Sequence, residues 1–189
     1  RYYVLHEIPF ANDGSITYDL IIERINSDLA NVLGNLVNRT ISMANKYFDG
    51  KVSNKNVTTE FDSDLITQIK ELDGKVDNDM DHLEIGKALD KIFDLLRRSN
   101  KYIDETTPWI LAKEDNKDKL QTVLYNLIEG IRIGAIYLTP FIPDTANEIL
   151  RQINTNKKCL DTIKFGSLET NIHINDYKPI FMRVEKDAK

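Results

Sequence analysis

The chain has 189 residues and a mass of 21.8 kDa, with 41% apolar and 29% charged residues, which is enough for one good-sized core and excludes a disordered or fibrous protein. A net charge of -5 and a pI near 5.3 exclude a protein that grips nucleic acid by bulk phosphate attraction, so any such contact must be local. Cys159 is the sole cysteine and can close no internal disulfide, while His6, His82 and His173 lie far apart without ligand spacing.

The opening segment, YYVLHEIPF, is amphipathic, and Tyr2, Tyr3 and Leu5 are expected to pack against a part outside this chain. Because the sequence starts at Arg1 without an initiator methionine, it reads as an excerpt. After the turn signal Asn12-Asp13-Gly14, Ser15 or Thr17 caps a helix carrying Leu20, Ile21 and Ile25, predicted to end near Asn26-Ser27. A second helix runs from about Asp28 to Phe48 and stops at Asp49-Gly50, with a polar loop, KVSNKNVTT, beyond it. Helix three, opened by Thr58 or Thr59, carries Phe61, Leu65, Ile69 and Leu72 at helical spacing. Helix four continues from about Asp81 through Ile85, Leu89, Ile92, Phe93 and Leu96 toward Ile103, and Thr107-Pro108 ends it, because the residue before proline avoids the helical region. Helix five spans about Asp118 to Leu138, and helix six starts at Pro140 or Pro143 and reaches about Ile153. The stretch IRIGAIYLTPFI is interrupted by Arg132 and Pro140 and is no membrane span. From Cys159 onward IKFGSLETNIHINDYKPIFMRVE has no helical period and reads as an extended tail lying against the bundle. The fold class is all-α, a helical bundle with an extended C-terminal tail. Residues 1–16 are a connector, 17–158 the bundle and 159–189 the tail.

One face of helix two stands out. At ~100° per residue, Leu29, Leu33, Leu36, Val37, Ala44 and Tyr47 gather on one side and Asn31, Asn35, Arg39, Ser42 and Lys46 on the other. No Asp or Glu occurs from Asn31 to Phe48, in an acidic chain. Asn costs several tenths of a kcal/mol mid-helix relative to Ala. One reading is a solvated face of chance composition. The other is a row of amide and guanidinium groups aimed at base edges, which such groups bond well and carboxylates would spoil beside phosphates. Asn38 and Lys46 are solvated or contact phosphates. Trp109, the lone tryptophan, follows Pro108 at a helix end. It is either a core anchor or a stiffened, partly exposed platform for stacking an unpaired base.

Three strings carry a resemblance: YDLIIERINSDLANVLGNLVNRTISMANKYFDG, NKYIDETTPWILAK and LYNLIEGIRIGAIYLTPFIPDTANEI. Their order and spacing resemble the anticodon-binding domain of bacterial methionyl-tRNA synthetase, with the likeness running from RYYVLHEIPFANDG to PIFMRVE. The resemblance implies the anticodon-binding helical bundle of class I aminoacyl-tRNA synthetases. It places Asn35 and Arg39 at positions that bond anticodon bases, Asn31 one turn earlier on the same face, and Trp109 behind Pro108 where the cytosine of CAU stacks. The implied partners are methionine tRNA and the enzyme's own catalytic domain, with a homodimer of the full-length enzyme one arrangement open to it and no membrane. The implied compartment is the cytoplasm. Neither a HIGH-type motif nor KMSKS occurs here, so no catalytic residue, cofactor or metal is assigned to this chain. ATP with magnesium, and zinc as a further candidate, belong to the catalytic region.

Three rivals are weighed beside it. A carboxylate-bridged di-metal bundle needs Glu-x-x-His pairs, which the three histidines do not supply, and MDHLE around His82 reads as a solvated helix start. A helical protein-interaction scaffold is compatible with the long helices. The corresponding domain of the valine, leucine, isoleucine or cysteine enzyme shares the bundle, but the set Asn35, Arg39 and Pro108-Trp109 resembles the methionine enzyme best.

Overall fold

The computed structural model describes residues 1–9, 13–174 and 177–185. Its elements are α1 (Tyr2–Glu7), α2 (Tyr18–Arg24), a π-helical segment (Ile25–Gly34), α3 (Asn35–Phe48), β1 (Lys51–Ser53), α4 (Asp62–Asp81), α5 (Ile85–Thr106), α6 (Pro108–Lys113), α7 (Lys117–Leu138), α8 (Pro143–Ile153), a 3-10 turn (Leu160–Thr162) and β2 (Asn171–His173). The all-α expectation holds, with two short strands added to it. Among the described residues no helix is long and apolar enough to cross a membrane.

The centre of the bundle is α7, whose residues from Thr122 to Leu138 are all buried. A helix buried on every side can persist only when neighbours surround it, and α3, α5 and α8 pack around this one. Leu89, Ile92, Phe93 and Leu96 of α5 are fully buried, as their spacing predicts. Close approach of α5 and α7 depends on two small residues. A Cβ on Gly134 would stand 2.9 Å from Leu96 Cδ2, and one on Gly130 3.1 Å from Ser99 Oγ. On α4 the stripe Leu65, Ile69, Leu72 and Val76 is buried toward the same core.

Four expectations are corrected. The chain does not break at Asn26-Ser27; it stays helical from Tyr18 to Phe48, capped by Thr17, whose side chain accepts from the Leu20 N–H. Asn side chains break helices by competing for nearby backbone. That of Asn26 is occupied elsewhere, donating Nδ2 to Val184 O at 2.9 Å and accepting from Val184 N at 2.8 Å. The wider π turns carry the chain through this stretch into α3. Second, Tyr2 and Tyr3 do not wait for an absent partner. Both are buried here, Tyr2 donating to Asp28 at 3.0 Å and packing on Phe93, Tyr3 donating to Ser15 O at 2.7 Å. Third, His82 follows the end of α4 rather than starting a helix, its ring Nδ1 lying 2.7 Å from Asn78 O. Fourth, the polar loop after α3 contains a strand, with Lys51, Val52 and Ser53 pairing antiparallel to His173, Ile172 and Asn171. Val52 and Ile172 are the buried members, so the tail is fastened to the bundle by backbone ladder and apolar contact together.

Pro143 opens α8, whereas Pro140 lies in the preceding turn. The tail is held a second time by a buried ion pair on α7, in which Glu129 Oε1 accepts from the N–H groups of Gly166 at 2.7 Å and Ser167 at 3.1 Å.

Candidate nucleic-acid interface

The wheel drawn from sequence survives in three dimensions. Leu33, Leu36, Val37 and Ala44 are buried, Asn31, Asn35, Asn38, Ser42 and Lys46 are exposed, and Arg39 is intermediate. Since Asn35 and Arg39 are one turn apart on α3, their side chains share a strip of surface.

That strip faces α5, and here the sequence reading needs a correction. The ridge is free of carboxylates in sequence but not in space, because Asp104 Oδ1 accepts from Arg39 at 2.8 Å. Asn100, one turn before Asp104 on α5, accepts from Asn35 Nδ2 at 3.5 Å. Two helices therefore meet through matched pairs, Asn to Asn and Arg to Asp, each spaced by one turn. Asn100 and Asp104 escaped the sequence reading, and the signal for them was the same four-residue spacing within NKYID.

Asp104 lies in the last turn of α5. The helix then stops because Thr107 takes a left-handed conformation (φ 43, ψ 61), avoiding the right-handed helical region that the following proline disfavours. Pro108 restarts the chain as the first residue of α6, a helix too short to be foreseen, and Trp109 comes directly after it. Pro108 itself is buried, while Trp109 is 40% exposed. The indole is therefore no core anchor, and it leaves the same end of α5 that Arg39 touches.

The rest of the ridge is divided. Asn38 is engaged at its accepting end, where Oδ1 takes hydrogen bonds from Ser42 at 3.1 Å and from Tyr177. Burial pushes the Tyr177 phenol above its ordinary range. Lys46 stands over the Tyr47 ring at 5.4 Å from its centroid. Asn31 and Asn35 line an open cavity of about 420 Å³ together with Phe181 and Arg183 of the tail. A Cβ on Gly34 would meet Phe181 Cβ and O, both at 3.4 Å, so the tail lies close against this helix. Arg183 was not singled out from sequence, since nothing in the tail announces which helix it crosses.

Among the described residues no three His, Cys, Asp or Glu side chains gather to hold a metal ion.

Comparison with known proteins gives consistent results. The family described as the anticodon binding domain of methionyl tRNA ligase matches residues 52–174, more than half of the chain, and the class I (M) tRNA synthetases match residues 1–41. The methionine--tRNA ligase of Clostridium acetobutylicum is 47% identical over 191 residues, covering 100% of this chain and 30% of its own length. That of Bacillus subtilis is 42% identical over 195 residues, with 100% and 29% covered. Among solved structures, the apo form of Mycobacterium tuberculosis methionyl-tRNA synthetase superposes with a TM-score of 0.86 at 32% identity, covering 98% of this chain and 38% of that one. The chain thus spans about 30% of the length of the curated relatives it matches. With its helical bundle and a family match across most of that bundle, the chain belongs to the anticodon-binding domain family of methionyl tRNA ligase.

Proposed function

We propose that this chain reads the CAU anticodon of methionine tRNA as part of a methionine-tRNA ligase. The observation that carries the reading is the convergence at one end of α5, where Asp104 holds Arg39 and the chain turns through Thr107 into a proline-stiffened, exposed Trp109. In this reading the loop bases are splayed, the cytosine stacks on Trp109, and Asn35 and Arg39 bond Watson-Crick edges, with Asn31 a turn earlier on the same face. A stacked base contributes about 1 to 3 kcal/mol and a matched hydrogen-bond set a similar discrimination. The guanidinium can turn from Asp104 to a base at small cost, since an exposed pair contributes about 0 to 1 kcal/mol.

These terms decide identity without supplying total affinity, which reconciles a base-reading site with a net charge of -5. Residues 17–158 then form the reading domain, residues 1–16 lead in from a catalytic part, and 159–189 strap back onto the bundle. The catalytic part supplies ATP and magnesium chemistry, with zinc a further candidate there. The compartment is the cytoplasm, and a homodimer is compatible with the full-length enzyme.

The test is titration of the chain with a CAU stem-loop and with a loop carrying a changed first base, in wild type and in Trp109→Ala. Expected is weak binding that falls with salt, prefers CAU, and drops by about 1 to 3 kcal/mol in the variant. Tight, salt-insensitive binding indifferent to the anticodon overturns the reading.

A further inference from the structure

Which end of the Asn35 amide faces outward is fixed by its neighbour. Asn100 directs Nδ2 at two backbone carbonyls at once, Val32 O at 3.1 Å and Leu96 O at 3.2 Å. A backbone carbonyl oxygen accepts and never donates, so the nitrogen of Asn100 has to face these two atoms. Its Oδ1 then points toward α3, where it takes Nδ2 of Asn35 at 3.5 Å. That last contact is long, but its direction is set by the two carbonyls and not by its own length. An amide has one donating end and one accepting end, so with Nδ2 turned inward Asn35 presents Oδ1 to the outside. The Val32 carbonyl belongs to the π-helical segment just before α3, so Asn100 ties the base of the ridge to α5 as well.

We propose that Asn100 is a positioning residue that locks Asn35 as a hydrogen-bond acceptor toward RNA, so that this point of the ridge selects an amino-bearing base by accepting a hydrogen of its exocyclic amine. The inference rests on the anticodon reading above. Of the three CAU anticodon bases only cytosine and adenine carry such an amine, and it projects beyond the ring where a side chain on a helix face can reach it. Uracil offers an N–H recessed between two carbonyls, whose oxygens repel an inbound Oδ1. Arg39, one turn on, has only donors and suits the ring nitrogen or carbonyl beside the amine. An unlocked Asn35 could turn either end outward and would discriminate little.

The test uses fluorescence anisotropy of the intact chain with CAU stem-loops in which cytosine is replaced by pyrimidin-2-one, or adenine by purine, each lacking just the amine. Wild type is expected to bind one of the two about tenfold more weakly than CAU, the loss of one hydrogen bond with an acceptor left unpaired. The penalty should vanish in Asn35→Ala, an exposed position where folding is not at issue, and shrink to about threefold or less in Asn100→Leu. In the unsubstituted chain, nuclear Overhauser contacts should run from the Asn35 side-chain amide hydrogens to α5. Their absence overturns the lock, as does a penalty that persists in full in Asn100→Leu. If both analogues bind wild type as well as CAU while Trp109→Ala still weakens binding, this inference falls and the anticodon reading stands. A wild type that binds CAU no better than a scrambled loop overturns both.

Discussion

Two arginine-carboxylate pairs occupy opposite extremes of this molecule. Glu129 and Arg132, one turn apart on α7, are wholly buried and meet through two contacts of 2.6 and 3.0 Å. Their remaining capacity is spent on the tail: Arg132 donates to Thr162 Oγ1 at 3.3 Å, and Glu129 accepts the N–H of Gly166 at 2.7 Å. Arg39 and Asp104 meet through one contact of 2.8 Å, with side chains 31% and 64% exposed. A guanidinium has five N–H donors, and Asp104 engages one. The buried pair is committed to the fold because every alternative partner is excluded with the water. The exposed pair orients its arginine yet leaves it open to exchange. Burial decides which pair is fixed and which can change partner.

The sharpest way to break the comparison is Glu129→Leu. It strands a buried guanidinium and removes the acceptor of the tail's N–H groups, and is expected to cost about 3 to 5 kcal/mol in chemical denaturation. A loss below about 1 kcal/mol would mean that water reaches Arg132 and that the two pairs are alike after all. Next in size is Trp109→Ala. Because the indole is 40% exposed, RNA affinity should fall by about 1 to 3 kcal/mol with little change in melting temperature. A large drop in melting temperature would instead make Trp109 a structural residue.

A third test probes the same buried region through Tyr125, which donates to Leu168 O of the tail at 2.9 Å. Burial, and then the nearby Glu129 carboxylate, push its phenol up to about 12. The folded pKa lies above the unfolded value of 10, so the contribution of the neutral phenol is fully present below pH ~10 and is lost as pH rises toward ~12. Tyr2, Tyr102 and Tyr137 are raised in the same direction, chiefly by burial. Stability should therefore fall above pH ~10, and Tyr125→Phe should flatten that fall while costing about 1 kcal/mol at neutral pH. An unchanged alkaline slope in the variant would show that Tyr125 does not couple the tail to pH.

Much of this was legible from spacing. The stripe Leu89, Ile92, Phe93, Leu96, the break at Thr107-Pro108 and the polar face Asn31, Asn35, Arg39 all follow from local chemistry. The features that escaped depend on partners remote in sequence. Asn26 looked like a helix breaker because its partner, Val184, lies 158 residues away. Asp104 and Arg39 are 65 apart, so a ridge empty of acid in sequence acquires a carboxylate in space. Tyr2 and Tyr3 looked unsatisfied because Asp28, Phe93 and Ser15 were not visible as their cover. The three-residue strands and the six-residue α6 are too short for periodicity to register.

The smallest expected effect on stability is that of Arg39→Ala, and it bears most directly on the contrast between the pairs. An exposed ion pair gains little over two solvated side chains, because water screens the attraction and two long side chains lose freedom in meeting. The variant should thus change unfolding free energy by about 0 to 1 kcal/mol, less still at high salt, where the Debye length shrinks to about 3 Å at 1 M. Binding of a CAU stem-loop should fall by more than stability does, by about 1 to 3 kcal/mol if the guanidinium reads a base. A phosphate contact would instead weaken all loops alike and reduce the salt slope by about one. The deciding measurement is the ratio of affinities for CAU and a changed-base loop at two salt concentrations. A ratio that survives Arg39→Ala would assign the arginine to the backbone, and one that collapses would assign it to a base.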